Sequence, residues 1–424
     1  MRISIGLAAT LVAVAVLALG STGTSAAPSV ASGENAVVHW SGIAEGAISA
    51  GRPPASSTVL AGMVHGAMYD AVAAVEGGLK PFATGVTAPE GASADAAVAQ
   101  AARDVLVARV PGQATAVQAA YDVYMASLPD GPAKDAGKAV GTAAAAGMLA
   151  MRTGDRFDDN VPYVQPAPGP GVFEPIAPTP VVDVKLGLVR PFTYDSASDY
   201  RPGDPVSLTS KRYATDVAEL QEIGRADSSA RTPAQTAHSR FFTDHAYAQY
   251  SRAVRGVAVG RGLDLRESAR LLGYVWVAAA DTMIACWEAK FHYYLWRPTH
   301  AIQRADTDGN QATSADTTWL PLLGGNHPEY PSGHACITSA VTQSLRSYFG
   351  TKHVQLSFTN AATGATQTYD RLDDVVDAIE DARVWGGLHF RSTMTESAKH
   401  FPRIARDIGR EHFLADRGHG DRDD

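Results

Sequence analysis

The chain has 424 residues, 19% of them charged and 45% hydrophobic, and a formal net charge of −8. Such a length can bury a large core. The acidic balance argues against nucleic acid or an anionic membrane as partner, because both demand a basic surface.

Residues 1–27 read as a secretory signal: Arg2 starts it, Leu7 to Leu19 is an apolar run, and Thr24 to Ala27 offer small residues for cleavage. The run is shorter than the roughly 20 residues of a spanning helix. An extracellular protein with no stable membrane association is therefore expected. Residues 28–204 are predicted to form an N-terminal helical bundle. Val64, Met68, Ala71 and Val72 mark one of its helices and Ala101 to Val107 another, with two more over 113–126 and 133–151, parted by Leu128-Pro129-Asp130-Gly131. From Asp155 to Asp204 the pattern breaks into Pro- and Gly-rich sequence, and a loop that long wraps the surface or rims a pocket. Residues 205–412 are predicted to form a C-terminal helical bundle carrying the functional site, and 413–424 read as a frayed tail. Asp264 and Glu267 have the spacing of a capping box that opens the helix leading to Lys290. The whole reads as all-α, either one large helical domain or two fused bundles. Cys286 and Cys336 are too few for a disulfide scaffold and read as buried thiols, with a bridge between them as the alternative.

Two acidic segments invite a bland reading. Asp306-Thr307-Asp308-Gly309-Asn310 starts like a calcium loop, but its glycine is misplaced and the distal glutamate is missing, so a surface turn is expected. The run from Asp370 to Asp381 reads as a solvated helix face, one member of which has the alternative of pairing with Arg383.

Three other segments carry chemistry. On a continuous helix Trp287, Lys290, Tyr294 and Arg297 share one face, with Pro298 ending the helix just beyond. Ser332 is placed to cap a helix opening at Gly333, so that unpaired first-turn N–H groups and His334 face an anion. Arg383 and His389 would stand about 120° apart on a straight helix; Gly386-Gly387 between them serve either to bend the chain or to let another helix approach closely, and the arginine is long. Together these residues suit a small tetrahedral oxyanion. The cations neutralise it, Ser332 and Gly333 donate to its oxygens, His389 meets the central atom and His334 transfers protons.

Lys290-x6-Arg297-Pro298, Pro331-Ser332-Gly333-His334 and Arg383-x5-His389 resemble the signature shared by vanadium-dependent haloperoxidases and the type 2 phosphatidic acid phosphatase superfamily of acid phosphatases. The stretch Val64 to Asp70 is similar to bacterial members. The resemblance implies a fold of two four-helix bundles. It implies that Lys290, Arg297, Ser332, Gly333 and Arg383 bind vanadate, that phosphate can occupy the same site, and that His389 is the metal ligand. His334, His389 and Lys290 are then the catalytic set, and hydrogen peroxide, a halide and a small organic substrate are the partners; a homodimer is left open. Trp287 resembles a tryptophan lining the cofactor pocket. His327 stands where algal bromoperoxidases have histidine and fungal chloroperoxidase has phenylalanine, which favours bromide and iodide. The alternative implied is a secreted acid phosphatase acting through phosphohistidine at His389. The chain departs from the pattern at Ala382, where serine is expected, and at Thr393, where the phosphatases carry the aspartate that orients the histidine. Another acceptor is therefore needed on the His389 ring.

Overall fold

The computed structural model describes residues 34–176 and 180–414, so the expected signal at 1–27 and all of the expected tail beyond Leu414 lie outside the described residues. Phe413, at the start of that tail, is buried, with its ring stacked on Tyr274.

The N-terminal half folds as α1 (Ala36–Ser49), α2 (Pro54–Glu76), α3 (Ala94–Arg109), α4 (Ala114–Ser127) and α5 (Pro132–Met151). Proline at the first position starts α2 and α5, where a missing N–H costs nothing. Val64, Met68, Ala71 and Val72 lie on α2 as expected, and nearly every α2 residue from Ala55 to Ala73 is buried. The second half contains α6 (Lys211–Glu219), α7 (Pro233–Phe241), α8 (Ala246–Gly260), α9 (Leu265–Tyr293), α10 (Pro298–Gln303), α11 (Gly333–Phe349), α12 (Leu372–Trp385), α13 (Arg391–His400) and α14 (Pro402–Ile408). Helix α9 packs against α2 on one side and α11 on another, which makes it the central rod of the molecule. Both α2 and α9 are long and apolar enough to cross a membrane, but their apolar windows are 89% and 94% buried inside the fold, as core helices are.

Among the described residues the all-α expectation holds but for one small hairpin, β1 (Leu356–Thr359) paired antiparallel with β2 (Thr366–Tyr369). Leu356 and Phe358 point inward while Ser357 is exposed, an alternation of period two within a stretch expected to be helical. The predicted capping box is present: Asp264 accepts from the Glu267 N–H at 2.7 Å and Glu267 accepts from the Asp264 N–H at 3.0 Å.

The single stripe from Trp287 to Arg297 is not formed. Helix α9 stops at Tyr293, and Tyr294 takes a left-handed conformation (φ 50°) with its N–H still bonded to the Lys290 carbonyl. The chain then runs extended through Leu295 and Trp296. The extended stretch is held on both sides: Phe173 N–H donates to the Tyr294 carbonyl at 2.6 Å, Trp296 N–H to Gly171 at 2.8 Å, and Glu329 N–H to Leu295 at 2.8 Å. Pro298 opens α10 rather than closing α9, since a proline disfavours helical geometry in the residue before it. Arg297 is the residue capping α10, and Tyr294 sits in a separate cleft with Phe291 and Val164.

Among its described residues, the Pro- and Gly-rich segment 155–204 is irregular apart from short 3-10 turns at Leu186–Leu188 and Ala197–Tyr200, and its Val182 and Asp183 rim the functional cavity. Asn326 ties this loop to the site, accepting from Ile176 N–H through its side chain at 2.9 Å and from Val182 N–H through its backbone at 3.1 Å.

Candidate oxyanion site

Met283 and Trp287 in the C-terminal half of α9, the start of α10, the start of α11 and the end of α12 converge on a cavity of about 120 Å³. Trp287, Arg297, His327, Gly333, His334, Arg383 and His389 all line it. Three segments that are far apart in sequence thus meet as expected.

His389 follows the turn that ends α12. Gly387 supplies the bend: its φ of 74° is unfavourable for other residues, and a Cβ there would lie 2.8 Å from the Pro321 side chain. The imidazole is 2% exposed. Its Nδ1 meets Glu329 Oε1 at 2.9 Å, and its Nε2 lies 3.4 Å from Arg297 Nη1. A guanidinium only donates, so Nε2 is the unprotonated nitrogen and Nδ1 carries the hydrogen given to Glu329. Burial first, then Arg297, Lys290 and Arg383, hold the ring well below the ordinary histidine range. It is therefore a neutral base with its lone pair toward the cavity.

Glu329 is the acceptor that Thr393 cannot be. It is fully buried; its Oε1 also accepts from the Phe390 N–H at 3.0 Å, and its Oε2 accepts from the Thr393 hydroxyl at 2.7 Å. Burial raises its carboxyl to about 7, against the pull of Thr393, Arg297 and Lys290. The sequence held one signal for it, a lone carboxylate inside the otherwise uncharged stretch Pro328-Glu329-Tyr330-Pro331.

The two arginines differ. Arg297 donates to the Leu388 carbonyl at 2.9 Å, the His327 carbonyl at 2.6 Å and His327 Nδ1 at 2.8 Å. Arg383 donates through Nη1 to the Phe242 carbonyl at 3.2 Å, and its buried Nε has no partner. No member of the acidic run pairs with Arg383; Glu380 and Asp381 bind Arg391 instead. Burial pushes Arg297 down to about 10, and burial together with Arg297 pushes Arg383 down to about 9. Uncompensated cations around a small cavity are stabilised by an arriving anion.

Ser332 caps α11, as expected, accepting from the Ala335 N–H at 3.4 Å, while its own N–H donates to Ser397 Oγ at 3.1 Å. Its hydroxyl is thus engaged in capping and does not line the cavity, whereas Gly333 does. His334 sits in the first turn of α11 and is neutral, lowered by burial and then by Arg383.

Lys290 reaches the site by a different route from the one expected. Its fully buried ammonium donates to the carbonyls of Pro328 (2.8 Å), Glu329 (3.2 Å) and Pro331, and it does not line the cavity. Burial, then Arg297, holds it well below the ordinary lysine range. It braces the loop that carries Glu329 and adds positive charge behind the wall. The Trp287 ring lies 5.4 Å from this ammonium and 5.2 Å from the His327 ring, which is tilted 44° to it. His327 is also lowered, by burial, Arg297 and Lys290, so it is a neutral acceptor for Arg297 and not the positively charged group that a histidine beside an anion suggests.

The cradle fits a small oxyanion. A Cβ at Gly325 would stand 3.1 Å from Arg297 Nη2, and one at Gly333 would stand 2.9 Å from the Trp287 ring, so side chains there would fill the space. Beside it, Cys286 on α9 and Cys336 on α11 are bonded, with Cα atoms 6.4 Å apart, where two buried thiols were the expectation. Their meeting follows from the packing of α9 on α11, which sequence spacing does not report. Asp308 forms a turn as expected, accepting from the Asn310 N–H at 2.7 Å and the Thr313 hydroxyl at 2.8 Å.

Residues 270–414 match the family model described as the VCPO second helical-bundle domain. A vanadium chloroperoxidase from Curvularia inaequalis is 28% identical over 37% of this chain, and the match spans 31% of that relative's length. Among solved structures, the first bacterial vanadium-dependent iodoperoxidase superposes with a TM-score of 0.72 at 20% identity, covering 88% of this chain and 94% of that one. A holo-type bacterial vanadium-dependent chloroperoxidase gives 0.68 at 17% identity, covering 86% and 93%. These superpositions extend the shared fold well beyond the matched second bundle.

Proposed function

We propose that this chain, whose residues 270–414 match the model of the VCPO second helical-bundle domain, is a vanadate-dependent haloperoxidase that uses hydrogen peroxide to oxidise bromide or iodide to a hypohalous acid equivalent. The observation that carries the reading is the pairing, in one buried cavity, of a neutral imidazole whose unprotonated Nε2 meets only Arg297 Nη1 at 3.4 Å with an Arg383 guanidinium that lacks a partner at Nε.

Vanadate fits this donor set. His389 Nε2 would be its single direct protein ligand, Arg297 and Arg383 would balance its charge, and the α11 N-terminus at Gly333 would donate to an oxygen. When bound, vanadate supplies a Lewis-acid centre that activates peroxide without changing its own oxidation state. His334, neutral and facing the cavity, takes and returns protons of the oxygens held there. Trp287, 4% exposed, closes the wall and limits water. Lys290 holds the 328–331 loop in place, and with it Glu329. Hypohalous acid then meets a small organic substrate. Bromide and iodide are preferred over chloride, since His327 draws hydrogen bonds from Arg297 that would otherwise serve the cavity.

The phosphatase reading has one observation in its favour: a carboxylate-oriented histidine with an unprotonated Nε2 also suits attack on phosphorus. Purified protein loaded with vanadate should consume peroxide in the order iodide, bromide, chloride, and the vanadate-free form should hydrolyse p-nitrophenyl phosphate slowly if at all. Robust phosphatase turnover without vanadate-dependent halide oxidation would overturn the proposal. We propose export as well, on the support of the buried Cys286–Cys336 bond, because such bonds persist in oxidising compartments.

A further inference from the structure

We propose that Glu329 is the positioning residue of this site, selecting the His389 tautomer whose Nε2 lone pair enters the cavity. The inference rests on the oxyanion reading for the identity of the ligand, but its geometry stands without one. His389 Nδ1 has one carboxylate partner, Glu329 Oε1 at 2.9 Å, and the residue four positions after it in the chain is Thr393, which has no charge to offer.

The carboxylate is itself immobilised. Thr393 donates to Oε2 at 2.7 Å, and the Phe390 N–H donates to Oε1 at 3.0 Å, so each oxygen is fixed by a group from the segment that follows the histidine. The backbone on either side of Glu329 is clamped as well, by its own N–H on Leu295 and by Lys290 on its carbonyl. A threonine and a glutamate from two segments, 64 residues apart, thereby hold the imidazole as a pair. From the opposite side Arg297 Nη1, which can only donate, approaches Nε2 at 3.4 Å and selects the same tautomer. Glu329, His389 and Thr393 are all at most 3% exposed, so water does not compete for these bonds. Partners of this kind, one shell behind a ligand, are worth about 10–100-fold in affinity.

The test uses the full-length protein without added vanadate, and then with orthovanadate or inorganic phosphate. Nitrogen-15 NMR of the histidine rings should show His389 with a protonated Nδ1 and a bare Nε2 before any anion is added. Glu329→Leu, which keeps bulk and removes the acceptor, should lose that single tautomer and bind both anions about 10–100-fold more weakly. Glu329→Gln keeps the acceptor oxygen and should keep the tautomer, with a smaller loss of affinity. Thr393→Val, a milder change that guards against failure to fold, should weaken anion binding a few-fold while leaving Nδ1 protonated. A protonated Nε2 in the wild type would overturn the proposal, as would tautomer and affinity unchanged in Glu329→Leu, or equal damage in the Leu and Gln variants. Wild-type protein that binds neither anion, but shows the expected tautomer and its loss in Glu329→Leu, would refute the proposed function and leave the positioning role standing.

Discussion

At the level of single residues, His389 and His334 sit in one cavity with different surroundings, and the difference predicts different losses. His389 offers Nε2 and is held at Nδ1; removing it takes away the sole proposed ligand. His389→Ala should therefore release vanadate on gel filtration. His334→Ala leaves His389 and both arginines in place, so vanadate should remain while turnover falls by about 10²–10⁴, the usual worth of a positioned acid–base group. Vanadium content measured beside rate separates the two, and equal retention in both variants would show the ligand to be misassigned. A third histidine reports on stability. His65 is buried between the Ser41 hydroxyl and the Ala61 carbonyl, and burial lowers it to about 3. Its folded pKa lies below its unfolded value of 6.5, so the unfolded chain takes up a proton that the folded one refuses. Its contribution is therefore complete above pH 6.5 and lost as the pH falls toward 3. The difference in unfolding free energy between wild type and His65→Gln should shift against the wild type from pH 7 to pH 4; a constant difference would contradict the burial argument.

Among the elements, α9 does most to place the site. It carries Trp287, Lys290 and Cys286, and its start and end are specified by separate devices. The start is local: Asp264 and Glu267 satisfy one another's backbone N–H groups, while the Asp264 carbonyl also receives the Asn35 side chain at 3.3 Å. Asp264→Ala should cost about 1 kcal/mol, the typical worth of such a cap, without altering vanadate affinity. Denaturant unfolding beside a binding titration checks both halves. The end of α9 is not local. Tyr294 turns left-handed so that Leu295 and Trp296 run extended between residues 171–173 and Glu329, and this turn brings Arg297 to the cavity beside His327 rather than above Lys290. The helical repeat of aromatic and basic residues was legible in the sequence. The partners that reward breaking it lie more than thirty residues away on one side and over a hundred on the other.

For the whole molecule, the Cys286–Cys336 bond closes a loop of about fifty residues that contains Trp287, Lys290, Arg297, His327, Glu329 and His334. Closing a loop of that size is worth about 4 kcal/mol by the chain-entropy argument. The Cys286→Ala/Cys336→Ala double variant should accordingly lose several kcal/mol in denaturant unfolding. Dithiothreitol should leave the wild-type bond intact until the protein unfolds, because both cysteines are fully buried. Rapid reduction of the native protein, or an unfolding midpoint unmoved in the double variant, would count against it.

By itself the sequence determined the helical character, the capping box that opens α9, the turns, and the chemical kind of the site: two arginines, a lysine, a capped glycine turn and two histidines in three segments. Each of those features depends on residues within a few positions of one another, where the periodicity of a helix or the chemistry of a turn decides the outcome. Only the tertiary structure decided which way the side chains serve. It aimed Lys290 at three carbonyls, paired Arg297 with His327, joined Cys286 to Cys336, and supplied Glu329 to a histidine sixty residues away. Those choices follow from the packing of α9, α11 and the 386–390 turn around one buried cavity, where buried polar groups draw their partners from whatever segments the fold brings there.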